Sequence, residues 1–236
     1  MFKNNYLIKK SIGWSANSWF FSLRKALDEH SFPNKIKVLE IGAGEYSAIS
    51  LLFLNEESNL HITAYKKSDL NKVQSLIDSI ENIEKLKKNI TISSMSAQNI
   101  IGQYDLIIMK SVLGGIFRIN NSEKDDADRL LKYISENHLK KNGTLISMDN
   151  GRTKLEILFS NFGARKNSWR YFLPSDFKSS NKQYSFGFLS NFSFVTRYKN
   201  IGHAFDNVLF IMDKFIYKIF TIKNPSIIIS IYQKKS

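Results

Sequence analysis

The sequence predicts an α/β fold, a mainly parallel seven-stranded sheet with helices on both faces and an antiparallel terminal hairpin. Three observations carry this. Short β-rich apolar runs alternate with helical patterns through residues 1–150, the order expected where helical crossovers join parallel strands. Those runs are near-continuously apolar, as strands buried on both faces are. Finally, Val38–Ile41 passes directly into Gly42-Ala43-Gly44 and then a helical pattern, the layout of a nucleotide-binding crevice.

Taken in order, Ser15–His30 reads as a helix ended by Pro33, since proline cannot continue one. Ile36–Ile41 is the first strand, and Tyr46–Leu54 the helix after it. Leu60–Tyr65 is the second strand and Asp69–Lys87 its crossover helix. Ile90–Ser94 and Tyr104–Met109 follow as strands, then a helix over Glu123–Leu139. Asn142-Gly143 is a helix-stop and turn signal ahead of the fifth strand, Gly143–Met148. Beyond Asn150, Arg152–Phe162 reads as a helix stopped by Gly163, and Pro174–Ser179 opens a short one. Tyr184–Phe194 is a strand interrupted by Gly187. His203–Phe220 carries Phe205, Val208, Leu209, Met212, Phe215, Ile216 and Ile219 at 3,4 spacing. That stripe predicts a core-facing helix, with a membrane-surface anchor as the other reading. Asn224-Pro225 then breaks into the last strand, Ser226–Tyr232.

Composition narrows the chemistry. At 43% hydrophobic and 13% aromatic the chain can bury a core, which excludes intrinsic disorder. The absence of cysteine removes disulfide scaffolds, zinc-thiolate sites, iron–sulfur clusters and thiol catalysis. Thirty-four basic against 21 acidic residues give +13, which points to an anionic partner. Only seven of those basic residues are Arg, amid abundant Asn, Ile and Ser, a bias that genome-wide drift also produces. The basic start, Met1–Ser11, lacks the apolar stretch of a secretory signal. No run approaches the roughly 18 apolar residues of a membrane span, so a cytoplasmic protein without a transmembrane segment is expected.

The sharpest signal is Val38-Leu39-Glu40-Ile41-Gly42-Ala43-Gly44-Glu45-Tyr46-Ser47. A dinucleotide site needs a third glycine where Ser47 stands and an acid at the end of the second strand, where Tyr65 stands. Here the acid precedes the first glycine, as Glu40. This E-x-G-x-G at a strand end resembles motif I of the class I S-adenosylmethionine-dependent methyltransferases, which have a Rossmann-like fold. The resemblance spans about residues 36–234. Gln103–Met109 is similar to the family's fourth strand, Lys141–Ile146 to the approach to its fifth, and Ser226–Lys234 to its last. Lys110-Ser111-Val112-Leu113-Gly114-Gly115-Ile116 and Trp169-Arg170-Tyr171 resemble a branch found in bacterial surface-glycan biosynthesis, that of capsule and O-antigen.

The resemblance implies one domain over residues 1–236. Residues 1–35 would form a helical lid, 36–150 the cofactor-binding half and 151–236 the acceptor side. It implies S-adenosyl-L-methionine as cofactor, with Glu40 organising the loop and the methionine moiety, and Gly42, Ala43 and Gly44 giving backbone contact. Tyr46 and Lys110 join this set. Tyr65 occupies the place of the ribose-binding acid, and Ser96-Ala97 that of the adenine reader. These two departures leave open weak affinity, a shifted contact such as Asp69, or a lost activity. A carboxylate on both ribose hydroxyls makes charge-assisted bonds that Tyr cannot make.

Methyl transfer from a sulfonium needs proximity and alignment. A sugar hydroxyl acceptor also needs a base, whereas a phosphate oxygen does not. Asp149, at the carboxyl end of the fifth strand, and His203, opening the late helix, are the catalytic candidates. Ser111, Asn150, Arg152, Trp169 and Arg170 are the acceptor-side candidates. Arg152, Arg165 and Arg170 cluster there, and Arg suits bidentate capture of phosphate or carboxylate. No metal is implied. The resulting expectation is O-methylation of a sugar or phosphate group on a glycan or small anionic acceptor. Nucleic acid is disfavoured as a partner because the basic residues are scattered. A nucleic-acid methyltransferase and a non-catalytic methyltransferase-like binding subunit stand as alternatives, and the oligomeric state is open.

Overall fold

The computed structural model describes residues 12, 15–28, 30–44, 48–80, 83–118, 122–123, 125–153, 169–189, 201–219 and 224–234. The strands are β1 (Lys37–Ile41), β2 (Asn59–Ala64), β3 (Ile90–Ser94), β4 (Tyr104–Lys110), β5 (Leu139–Asn150), β6 (Lys182–Phe186) and β7 (Ile227–Gln233). The helices are α1 (Ala16–Leu27), α2 (Lys67–Asp78), α3 (Glu84–Lys87), α4 (Leu113–Ile116), α5 (Asp126–His138) and α6 (Ile201–Ile219). Short 3₁₀ turns occupy Ile49–Phe53 and Pro174–Asp176.

The seven strands form one sheet in the order β3-β2-β1-β4-β5-β7-β6. β1 to β5 are parallel, and β7 inserts antiparallel between β5 and β6. The β6–β7 pair is joined through α6. The order reverses between β1 and β4, which opens a crevice at the carboxyl ends of those two strands.

Alternation along the strands builds two cores. Val38, Leu106, Ile108, Ile146, Met148 and Ile229 face α1, α2 and the 49–53 turn. Leu39, Ile107, Leu145 and Ile228 face α5 and Phe172. α1 contributes Trp19, Leu23, Ala26 and Leu27 at helical spacing, all buried.

Several elements differ from expectation for local reasons. The helix expected over Asp69–Lys87 is two helices. Ser79 ends the first by donating its hydroxyl to the Leu76 carbonyl at 2.7 Å, which competes with the helical ladder. Asn142-Gly143 is spent on an irregularity inside β5, with Asn142 at φ 60° and the register slipping between Tyr104 and Leu106. The strand therefore begins at Leu139. The expected Tyr46–Leu54 helix is a 3₁₀ turn over its described part. The stripe on α6 divides. Leu209 is buried, whereas Phe205, Val208, Met212, Phe215 and Ile219 are exposed, because the buried face instead runs through Asp206, Leu209 and Asp213. The segment 154–168, with Arg165 and most of the Arg152–Phe162 helix, lies outside the described residues, as do Trp14, Tyr46 and residues 190–200.

A buried polar knot joins α5, β7 and the 177–180 loop. The Asp128 carboxylate accepts from the Tyr232 hydroxyl at 2.7 Å, and from the Ser179 hydroxyl and backbone N–H. Bonds to a charged acceptor contribute about 1.5–3 kcal/mol each. Tyr232→Phe is therefore expected to lower stability by about that amount with an unchanged denaturant slope. Urea unfolding checks this; an unshifted midpoint would contradict the knot.

Candidate functional site

Glu40, one residue before the end of β1, is fully buried. It accepts hydrogen bonds from the backbone N–H groups of Ile49 and Ser50, both at 2.8 Å, and from the Ser50 hydroxyl at 2.6 Å. These are N–H groups at the start of the 49–53 turn, so one carboxylate ties β1 to that turn. Nothing in the sequence marks Ser50 for this role.

Between those anchors the loop makes a sharp turn. Gly42 has φ +77°, and a Cβ there would lie 2.3 Å from Val112 Cγ2. The loop is held to β2 by Ala43 N–H donating to the Thr63 carbonyl at 2.8 Å, while the Thr63 hydroxyl donates to the Glu40 carbonyl. At Gly44 the nearest neighbour is Asp69, in the first turn of α2, whose Cβ lies 3.3 Å from the position a Cβ would take. Asp69 thus brings a carboxylate to the glycine loop that the end of β2 does not. Tyr65 is 77% exposed.

Tyr65 and Ser96 meet in a groove of about 550 Å³ that also involves Met95, His61, Ser93 and Tyr104. Ala97 instead packs into the core. The Tyr104 hydroxyl donates to the Ile101 carbonyl, so it accepts from His61 Nδ1–H, leaving Nε2 to accept from the Ser93 hydroxyl at 2.7 Å. Burial, and then the Lys37 charge, hold His61 below its ordinary pKa, which keeps the imidazole neutral.

At the end of β4, Lys110 is buried on the same sheet face as Glu40. Its Nζ lies 4.9 Å from the Trp19 ring centre. Burial pulls its pKa down to about 7, against the opposing pull of the Glu40 carboxylate. Ser111 follows with φ 53°, an uncommon strain for a residue other than glycine. Its N–H donates to the Met148 carbonyl, and Asn150 Nδ2 donates to its hydroxyl at 3.2 Å. Lys110, Ser111 and Asn150 therefore gather beside the glycine loop at one sheet edge.

Other expected residues are arranged differently. Asp149 alternates to the opposite sheet face, where it is buried. Its carboxylate accepts from the Ser147 hydroxyl and the Leu113 N–H that opens α4, and burial raises its pKa to about 7. It braces the loop carrying Ser111 from the face opposite Lys110. Arg170 is also engaged within the protein. Its guanidinium donates to the carbonyls of Phe117 and Ser122, clamping the segment after α4. Trp169 lies against Gly114 and Gly115, and a Cβ on Gly114 would meet its Nε1 at 2.2 Å. Arg152 is exposed and is held through its N–H to the Phe172 carbonyl. The backbone of His203 lies in the first turn of α6, and its side chain lies outside the described residues. α6 runs beside α1 in the same sense, with Asn17 bonded to Asn207 and Lys25 to Tyr217, so that first turn lies toward the Trp19 end.

No protein-family model and no curated protein matches the sequence. Solved structures do resemble it. A protein from Galdieria sulphuraria assigned as a sarcosine dimethylglycine methyltransferase superposes with TM-score 0.59 at 12% identity, over 92% of this chain and 85% of that one. Coclaurine N-methyltransferase gives 0.57 at 12%, over 92% and 72%. Phosphoethanolamine N-methyltransferase 2 from Haemonchus contortus, in complex with S-adenosyl-L-methionine, gives 0.56 at 13%, over 95% and 53%. The fold is that of the class I methyltransferases. Within that methyltransferase fold, the carboxyl edge at β1 and β4 carries the buried acid, the glycine turn and the buried lysine described above.

The two loop glycines make a direct contrast. Gly42→Ala is expected to destabilise by about 2–4 kcal/mol through the Val112 clash and the positive φ. Gly44→Ala, whose Cβ would lie a tight 3.3 Å from Asp69 Cβ without a positive φ, is expected to cost no more than about 1 kcal/mol. Urea unfolding of both variants checks the geometry; equal losses would contradict it.

Proposed function

We propose that the protein is an S-adenosylmethionine-dependent methyltransferase acting on the oxygen of a sugar or phosphate group in a small anionic or glycan-linked acceptor. The observation that carries this reading is the buried Glu40 carboxylate shaping a Cβ-free turn at the switch point of a methyltransferase fold. Gly42 permits the turn and the close approach of Val112 that a Cβ would block, and Asp69 supplies the carboxylate that Tyr65 lacks for the ribose. Tyr65, Met95 and Ser96 line a groove of the kind an adenine would enter. Residues 1–236 are read as one domain, with residues 1–35 over the site and 151–236 on the acceptor side, in a cytoplasmic protein.

S-adenosylmethionine supplies, when bound, a methyl group already activated on a sulfonium. The chain's own residues have the remaining work of binding, alignment and water exclusion. Trp19 and Lys110 close the site from beneath. Ser111 and Asn150, fixed by the bond between them, border the acceptor position, and exposed Arg152 is free to meet an anion. A phosphate oxygen needs no base, in keeping with Asp149 being engaged elsewhere. The complex of the Haemonchus enzyme with phosphomonomethylethanolamine supports a phosphate-bearing acceptor for this fold. Tyr65, exposed and without a carboxylate, favours the second reading of a non-catalytic binding subunit, and calorimetric titration with the cofactor separates the two.

Lys110 gives the test its sign. Its depressed pKa, about 7, makes it cationic below that value and neutral above it. A cation beneath the sulfonium repels S-adenosylmethionine but not S-adenosylhomocysteine, whose sulfur is neutral. Calorimetric titrations at pH 6 and pH 8.5 are therefore expected to show the preference for the homocysteine form falling about ten-fold as pH rises. Lys110→Met should abolish that trend. Absence of binding by either compound at millimolar concentration would contradict the methyltransferase reading and leave the binding subunit.

A further inference from the structure

Helix α6 presents an apolar face that the rest of the described protein leaves uncovered. Phe205, Val208, Ile211, Met212, Phe215 and Ile219 fall within an arc of about 120° around the helix. All are at least a third exposed, Phe215 at 66% and Ile211 at 64%. The helix's two acids, Asp206 and Asp213, are both buried. Asp213 accepts the N–H groups of Phe188 and Leu189, both at 2.8 Å. Lys218 stands at the border of the apolar arc and Lys214 about 40° further round; both are exposed, and Lys214 Nζ lies 5.8 Å and 5.9 Å from the Phe21 and Phe210 ring centres.

We propose that this face docks onto an anionic membrane surface, with α6 lying in the headgroup plane. Its composition is that of an interfacial helix, with large apolar side chains on one arc, lysines at the margin and no outward acid. Lysine stems can lie along the apolar boundary while their ammonium groups meet lipid phosphates. The chain's net charge of +13 adds long-range attraction to such a surface. The same charges disfavour a second copy as occupant. Two of these faces apposed would bring together lysine rows with no acid of either helix to pair them. Among the described residues no helix is long and apolar enough to cross a membrane, so the helix would lie on the bilayer. Because α6 runs beside α1, whose Trp19 covers Lys110, docking sets the sheet's carboxyl edge close to the headgroups. The inference stands apart from methyl transfer, since binding is read without cofactor.

Co-sedimentation of the full chain with vesicles of phosphatidylcholine, with and without about one-third phosphatidylglycerol, tests it. The expected result is binding to the anionic vesicles alone, weakened at about 0.5 M salt. Phe215→Glu should reduce that binding at least about ten-fold, and Lys214→Ala or Lys218→Ala about five-fold each. Phe215, Ile211 and Lys218 are exposed, so the urea midpoint of their variants should not move; Ile211→Glu serves as a second variant if Phe215→Glu fails to fold. Failure to bind anionic vesicles, or binding that both glutamate variants retain, overturns the proposal. So does a dimer in sedimentation equilibrium that Phe215→Glu dissociates, which would assign the face to a second copy.

Discussion

A carboxylate buried from water must find hydrogen-bond donors or lose its charge, and Glu40 meets this demand with the N–H groups of Ile49 and Ser50 and the Ser50 hydroxyl. Much of the sheet's carboxyl edge follows from that arrangement. The two ends of the glycine loop are fixed, one by β1 and the other by the 49–53 turn. Gly42 takes up the reversal between them, beneath Val112 from the end of β4. The charge also bears on Lys110, which keeps part of its basicity in a fully buried position through Glu40. Removing the carboxylate would free the turn and push the lysine's pKa further down together.

Strand alternation explains why residues adjacent in the expected site separate in space. Glu40 and Lys110 share the face covered by α1. Asp149, one residue beyond Met148 in β5, turns to the face covered by α4 and α5. Topology brings all of these residues to the same edge, and the pleat decides which layer each side chain enters. The outcome is a division of labour between layers. The α1 side carries the buried acid–lysine pair, and the other carries Asp149 and Asp128 in hydrogen-bonded braces that hold α4, α5 and β7.

The fold was legible because apolar runs and glycine punctuation report burial and turns directly. Six strands could be located from Ile, Val and Leu content, with β3 bounded to the residue, whereas β6 (KQYSF) holds none of these and only its Tyr184–Phe186 part fell within the expected strand. The glycine loop was legible for the same reason, since a positive φ and a 2.3 Å approach at Gly42 admit little else. What escaped the sequence depends on partners distant along the chain. Ser50 joins Glu40 only through the turn, and Arg170 is occupied by carbonyls about fifty residues upstream. The outward face of α6 escaped too. A 3,4 stripe specifies amphipathicity, but Asp206 and Asp213 find buried partners, and that reverses which side of the helix the protein covers.

On the proposed reading, the edge formed by Gly42, Gly44, Asp69 and Lys110 holds S-adenosylmethionine. A crystal structure of the protein grown with S-adenosylhomocysteine tests it most directly. The account predicts density across the glycine loop, with the ribose hydroxyls at the Asp69 carboxylate and the homocysteine sulfur toward the Lys110 side. Density elsewhere on the molecule, or an unaltered empty edge at saturating ligand, would contradict it.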